Sequence, residues 1–252
     1  MVNKFKKIIS SQFIAPAVIN PQTHDLAKYV VVITGASRGV GKAIADILLR
    51  EEATVVVISR NIGDLQKAFL FTDRLLMLEG DVTSEADVLL MIKNIIHKFG
   101  KIDVLVNNVG KFNDKSLDEA TPQEFSDIFN TNVKSMFLLA KYVLPHMKKR
   151  KQGFIINIGS KISHNTNIEP NKVLYAMTKY AVEGFSFALN KELKAFNIRV
   201  SCLMPGTISN FVSLKSKTFL SPSQIGLLVA TMIKMEDVDF ESIVIKSKYQ
   251  NI

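Results

Sequence analysis

From residue 29 onward, short apolar runs alternate with longer stretches of helical periodicity. The runs are Tyr29–Ile33, Thr54–Ser59, Leu75–Glu79, Val104–Asn107, Phe154–Ile158, Arg199–Met204 and Ser242–Ile245. They are rich in β-branched residues and bounded by Gly, Asp, Asn or Pro, as strands buried on both faces are. Between them, apolar residues recur at helical spacing over 40–51, 62–70, 84–98, 122–150, 173–196 and 222–234. This alternation predicts an α/β fold: a parallel sheet of seven strands with helices on both faces. Right-handed crossovers make such a sheet doubly wound, and ligands then bind at the carboxyl ends of its strands. No linker or internal repeat divides residues 29–252, so they are expected to form a single domain, with 1–28 as an N-terminal arm.

In that arm Phe5, Ile8, Ile9 and Phe13 fall at helical spacing, with Lys4 and Lys7 between them, until Pro16 and Pro21 break the pattern. A segment packed on its own domain or on a partner subunit is the favoured reading. An organelle-targeting helix lacks its usual Arg. A signal peptide would use Ala15-Pro16-Ala17, but Ser10, Ser11 and Gln12 interrupt its apolar stretch. No apolar run approaches the ~20 residues of a membrane-spanning helix. An apolar content of 47% over 252 residues supports a sizeable core and excludes disorder. The lone Cys202 excludes an intrachain disulfide, fits a reducing, cytoplasmic compartment, and reads as a core filler within Val200–Met204. The net charge is +9. Its one dense run, Lys148 to Lys151, follows a helical pattern and reads as a solvated helix C-terminus rather than a nucleic-acid patch. His24, His97 and His146 are dispersed and suggest no metal site.

The first strand runs into Thr34-Gly35-Ala36-Ser37-Arg38-Gly39-Val40-Gly41, after which a helix begins. Glycines at this spacing let the backbone turn sharply and approach a ligand without Cβ clashes. The helix behind them presents free N–H groups and a positive dipole end to an anion. A tight turn alone would also use glycines, but this position, between the first strand and first helix of a repeated β/α pattern, favours a dinucleotide pyrophosphate. The second strand ends Ile58-Ser59-Arg60-Asn61, with no carboxylate there to read a ribose 2′-OH. Arg38 and Arg60 can both face a 2′-phosphate in bidentate fashion. NADP(H) is therefore the expected cofactor; two ordinary surface arginines are the alternative.

Tyr175 and Lys179 stand at i,i+4 on a predicted helix, one turn apart on one face. Reduction of a carbonyl needs a proton donor at the oxygen, and a phenol has a reference pKa of about 10. A cation one turn away is expected to lower it and fit Tyr175 for acid/base work; Lys179 can also hold ribose hydroxyls. Tyr-x-x-x-Lys alone is frequent by chance and gains weight from its neighbours. The fifth strand ends Ile158-Gly159-Ser160, where a hydroxyl can bond the substrate oxygen. Asn132 lies in the long helix after the fourth strand. Its amide can hold a water that relays protons through Lys179, or simply bond nearby backbone.

The glycine turn, Asn107-Asn108-Val109-Gly110, Asn132, Ser160, Tyr175/Lys179 and Pro205-Gly206 occur in the order of the short-chain dehydrogenase/reductase family, which the chain resembles over about residues 29–245. The resemblance implies a Rossmann-type domain. It implies a catalytic tetrad of Asn132, Ser160, Tyr175 and Lys179. It also implies a cofactor cradle: Gly35, Ser37, Arg38, Gly39, Val40 and Gly41 along the pyrophosphate and adenosine side, and Asp81 and Val82 at the adenine. Asn107 and Gly110 would support the ribose and central strand, and Pro205, Gly206 and Ile208 would flank the nicotinamide. A homodimer or homotetramer built partly on the two long helices is implied as well. There are departures. Val109 replaces the family's usual Ala. Ser160 precedes Tyr175 by a slightly long gap, which leaves Ser163 as a weaker candidate for the serine role. Only residues 207–220 remain as a lid, and the glycine-rich ending is missing.

The substrate is expected against Lys161–Leu174 and the lid, with His164, Asn165, Lys172, Phe211, Leu214, Lys215, Lys217 and Phe219. Lysines beside apolar residues suit an acidic or acyl-carrier-type substrate; ordinary exposed lysines explain them equally. Two function classes remain: a carbonyl reductase that uses NADPH, and a non-catalytic NADP-binding regulator or scaffold on the same fold. The intact tetrad favours the enzyme. A basic nucleic-acid binder is a distant third, so the expected partner is a small carbonyl or alcohol.

Overall fold

The computed structural model describes residues 25–164, 168, 170–209 and 219–249. The helical pattern of the arm, Asn165, and Phe211 through Lys217 lie outside the described residues. Seven strands form one sheet: β1 (Val30–Thr34), β2 (Thr54–Ser59), β3 (Leu75–Glu79), β4 (Val104–Asn107), β5 (Gly153–Ile158), β6 (Ile198–Pro205) and β7 (Ser242–Ile245). Their order is β3-β2-β1-β4-β5-β6-β7, with every pair parallel. The chain therefore winds outward from β1 in one direction and from β4 in the other. The crevice of such a sheet opens where the winding reverses, at the carboxyl ends of β1 and β4.

The helices are α1 (Gly39–Arg50), α2 (Ile62–Ala68), α3 (Glu85–Phe99), α4 (Pro122–Phe129), α5 (Ser135–Arg150), α6 (Val173–Leu193) and α7 (Pro222–Lys234). Alternation along each strand sends successive side chains to opposite faces. On β1, Val31 and Ile33 join a core with Ile44 and Leu48 of α1, Leu65 of α2 and Val229 of α7. Val30 and Val32 join the other core, with Ile92 of α3, Leu139 of α5 and Leu193 of α6. All five residues of β1 are buried, which is why the run lacks polar alternation.

Several expected boundaries shift by a residue or so, and two helical stretches differ in an informative way. The second helix was read to residue 70 but ends at Ala68. Phe69 is buried while Leu70 and Phe71 are exposed, so apolar residues beyond the helix had mimicked its period. The long helix read over 122–150 is interrupted by a π turn, Asn130–Lys134, between α4 and α5. At the end of α5, Lys148 pairs with Glu192 and Arg150 with the buried Asp103, so part of the basic run fastens the helix to its neighbours. No helix among the described residues is long and apolar enough to cross a membrane.

Candidate active site

A cleft of about 1340 Å³ runs along the carboxyl edge of the sheet. Gly35, Ser37, Arg38, Gly39 and Val40 line one end, with Arg60 after β2 and Asp81 and Val82 after β3. Gly110, Ser160, Tyr175, Lys179, Pro205, Gly206 and Ile208 line the other. Gly41, Asn107 and Asn132, expected at the ligand, do not line the cleft; they stand behind its wall.

Thr34 ends β1 and Gly35 turns with φ +64°, a conformation that favours glycine. A Cβ on Gly41 would lie 2.5 Å from the Gly35 carbonyl oxygen and 2.6 Å from Asn108 Nδ2, so Gly41 serves the packing of the turn rather than a direct ligand contact. Asn108 clamps the turn from behind. Its Nδ2 donates to the carbonyls of Thr34 and Gly35, at 3.0 and 3.1 Å, and its backbone N–H donates to Thr34 Oγ1. Neither Asn108 nor Thr34 was singled out from sequence, although both sit inside motifs that were. Helix α1 then starts at Gly39, with no side-chain cap from Arg38 and no acidic residue in its first turn. By contrast, α2, α3, α4 and α7 are each capped by their own Asn, Ser or Thr. Its first N–H groups and its dipole therefore face the cleft without a side-chain acceptor. Arg38 and Arg60 are exposed, and their guanidinium groups make no hydrogen bond or ion pair among the described residues. An uncapped helix N-terminus, a glycine turn and two uncommitted guanidinium groups fit a dinucleotide carrying an extra phosphate.

Asp81 holds its own turn: its Oδ1 accepts from the backbone N–H and hydroxyl of Thr83, both at 2.9 Å. Asn107 bonds Asn157 of the adjacent strand at 2.7 Å, and Asn157 donates in turn to Ser186 on α6 at 2.9 Å. This buried chain ties β4, β5 and α6 together, so Asn107 supports the sheet from within rather than the cleft.

Tyr175 and Lys179 lie on the inner face of α6. The Ser160 hydroxyl stands by the Tyr175 phenol and draws its pKa down. Ser163 is turned away: its hydroxyl donates to the Ser160 carbonyl at 3.0 Å and contacts Met204 sulfur. Of the two serines, only Ser160 meets the phenol. Lys179 Nζ donates to the Ile158 carbonyl at 2.9 Å and stands 5.7 Å from the Tyr175 ring centre. The residue is 5% exposed, and burial pulls the pKa of its ammonium down to about 8. The expected lowering of the Tyr175 pKa by this cation is not what dominates. Burial pushes the phenol above its ordinary value, and the Ser160 hydroxyl opposes that shift only in part. Desolvation, invisible in a sequence, outweighs the charge one turn away.

Asn132 is buried. The π turn directs its side chain inward, where Oδ1 accepts from the Lys111 N–H at 2.6 Å and Nδ2 donates to the Lys111 carbonyl and Thr178 hydroxyl, both at 2.9 Å. The amide is thus engaged with protein groups, as in the alternative reading of it as a polar residue bonded to nearby backbone. It fastens the chain after Gly110 to α6, with Gly110 between Asn132 and Lys179. That chain carries Phe112, whose ring meets Tyr175 edge-on with centres 4.9 Å apart. Composition and spacing gave no signal for Phe112. Burial pushes the Cys202 thiol up to about 11, in keeping with a core filler. No cluster of three or more His, Cys, Asp or Glu able to hold a metal occurs among the described residues.

The family profile described as short chain dehydrogenase matches residues 29–218. Over 180 residues the chain is 36% identical to the 3-oxoacyl-acyl-carrier-protein reductase FabG of Vibrio cholerae, covering 71% of this chain and 73% of that protein. Among solved structures, the alcohol dehydrogenase of the archaeon Thermococcus sibiricus, complexed with 5-hydroxy-NADP, is similar with a TM-score of 0.80 and 27% identity, over 89% of this chain and 98% of that one. ElxO with NADP bound is similar with a TM-score of 0.81 and 26% identity, over 88% and 98%. The chain belongs to the short-chain dehydrogenase/reductase family of oxidoreductases.

Proposed function

We propose that this protein interconverts a carbonyl compound and a secondary alcohol with NADP(H), using Tyr175 as the acid/base. The observation that carries this reading is the Ser160 hydroxyl beside the Tyr175 phenol, with the Lys179 ammonium near the same ring, in the cleft that also holds the glycine turn. Arg38 and Arg60 would hold the 2′-phosphate, the N-terminus of α1 the pyrophosphate, and Lys179 the ribose hydroxyls. When bound, NADPH supplies the hydride, and NADP+ takes it back in the reverse direction. The two solved relatives that carry NADP or a derivative support this cofactor over NAD.

The chain's own residues handle the oxygen and the proton. Ser160 and Tyr175 bond the carbonyl oxygen and orient it. Burial keeps the Tyr175 phenol protonated at neutral pH, so the proton needed for reduction is in place. As negative charge develops on the substrate oxygen, the phenol releases that proton to it. The nearby Lys179 ammonium offsets the phenolate left behind. Asn132 and Asn108 act behind these groups, holding the Lys111 backbone and the glycine turn.

In this reading the protein works as a homo-oligomer in the cytoplasm, with residues 29–252 as one catalytic domain and 1–28 as an arm. NADPH and NADH oxidation over a panel of ketones and 3-oxoacyl thioesters tests the proposal. The expected result is turnover that prefers NADPH, with Arg38→Ala plus Arg60→Ala weakening NADP binding by about tenfold or more. Tight NADP binding with no turnover of any carbonyl would instead make the chain a cofactor-binding regulator.

A further inference from the structure

At the catalytic end of the cleft, the Tyr175 phenol has an aromatic neighbour that proton transfer does not call for. Phe112 lines the cleft and is 54% exposed. Its ring centre stands 4.9 Å from that of Tyr175, with the two planes 65° apart. This is the edge-to-face arrangement that aromatic pairs prefer. A side chain left so open to water gains little from folding. Among the described residues, Phe112 belongs to none of the buried cores.

The chain that carries this ring is nevertheless firmly held. Lys111, one residue before it, is bonded through its N–H and its carbonyl to the buried Asn132 amide, at 2.6 and 2.9 Å. Lys111 Nζ pairs with Asp127 of α4 at 3.0 Å, and Lys115 Nζ pairs with Glu124 of the same helix at 2.7 Å. A two-point clasp and two ion pairs thus hold the backbone that presents a large apolar side chain beside the proton donor. Such a ring needs little further ordering when a ligand covers it, so most of the burial shows up as affinity. Ile162, Pro205 and Ile208 line the same end of the cleft and extend its apolar surface.

We propose that Phe112 is a specificity-determining residue and that the substrate carries an aromatic ring next to its carbonyl. The carbonyl oxygen meets Ser160 and Tyr175, and the substrate ring packs against the Phe112 ring. Offset or edge-on ring pairs are favoured over contact with an aliphatic group of equal size, which has no quadrupole to match. The inference rests on the reduction proposed above and adds the substrate class and the residue that selects it.

The test compares acetophenone with cyclohexyl methyl ketone, which match in size and differ in the flatness and π-face of the ring. Two readouts are taken on the full chain: kcat/KM for NADPH oxidation, and calorimetric binding of each ketone to protein saturated with NADP+. Phe112→Leu keeps an apolar side chain and removes the ring. The quantity read is the aryl-to-cyclohexyl ratio in the parent divided by that in the variant, so that the intrinsic reactivities of the two ketones cancel. The expected value is about threefold to tenfold by either readout. Phe112→Tyr, which restores a ring, should keep the parent's ratio. A Phe112 that served only to support Tyr175 would lower both ketones alike. Turnover with a ratio unmoved by Phe112→Leu therefore overturns the inference and leaves the reduction standing. Ring-selective binding that Phe112→Leu abolishes, without turnover of either ketone, supports the aromatic platform and sinks the reductase reading. If neither ring selectivity nor turnover is seen, both are wrong.

Discussion

Burial places the Lys179 ammonium where its proton is held less tightly than in water, and its pKa falls to about 8. An unfolded lysine titrates near 10.4. Between those values the unfolded chain binds a proton that the folded chain has lost, so stability must rise with pH across that window. Below about 8 both states carry the proton, and the full cost of burying the charge is present. Lys179→Met is therefore predicted to stabilise the protein at pH 7 by about 1–3 kcal/mol, the lost bond to Ile158 offsetting part of the gain. Urea unfolding should also show the rise in stability between pH 8 and 10.4 in the parent and not in the variant. Equal stability at pH 7 and equal pH slopes would show that the ammonium is not desolvated. The pairing of Tyr175 with Lys179 was legible because a four-residue interval on a helix has one spatial meaning. The preference for Ser160 over Ser163 came from family order alone, while its physical reason, the 3-10 turn directing the Ser163 hydroxyl to its own backbone, was not legible. The pKa of Tyr175 was misjudged for a related reason: spacing reveals charges, not solvent.

The glycine turn between β1 and α1 shows how an element can depend on residues far along the chain. Asn108 reaches back across more than seventy positions to bond the Thr34 and Gly35 carbonyls. Asn108→Ala leaves both without that partner, and Gly41→Ala drives a methyl group into one of them. Each change is predicted to cost about 1–3 kcal/mol. In a chain of this size that is a fall in Tm of roughly 2–10 °C. NADP affinity should drop with it, because the same amides form the cradle. Scanning calorimetry and NADP titration of both variants check this, and an unchanged affinity would detach the clamp from the cofactor. At this scale β2, β3, β4 and β7 were read from sequence to the residue, because turn-formers bound each apolar run. The π turn was missed. Asn130, Thr131 and Asn132 are poor helix formers in a row, a signal that the apolar periodicity on either side concealed.

Across the whole molecule, the layer formed by α3, α5 and α6 keeps large apolar side chains in contact with solvent: Leu89, Leu90, Phe137 and Phe187 are each about half exposed. Such a surface is characteristic of an interface. The chain is predicted to be at least a dimer through this layer, with a scattering mass of twice 28.1 kDa or more. Phe137→Asp with Phe187→Asp should return it to a monomer, and a monomeric parent would refute the assignment. In the sequence an oligomer is implied only by family resemblance, because neither composition nor periodicity says which helix faces stay uncovered. The central claim concerns the opposite edge of the sheet, where phenol, serine and ammonium share one cleft. Its most direct test is NADPH carrying deuterium at the reactive ring carbon, incubated with a ketone that the protein reduces, with the alcohol analysed by mass spectrometry. The account predicts one deuterium on the carbinol carbon, formed about 10²–10⁴ times more slowly by Tyr175→Phe. Alcohol without the label, or equal rates with and without the phenol, would contradict it.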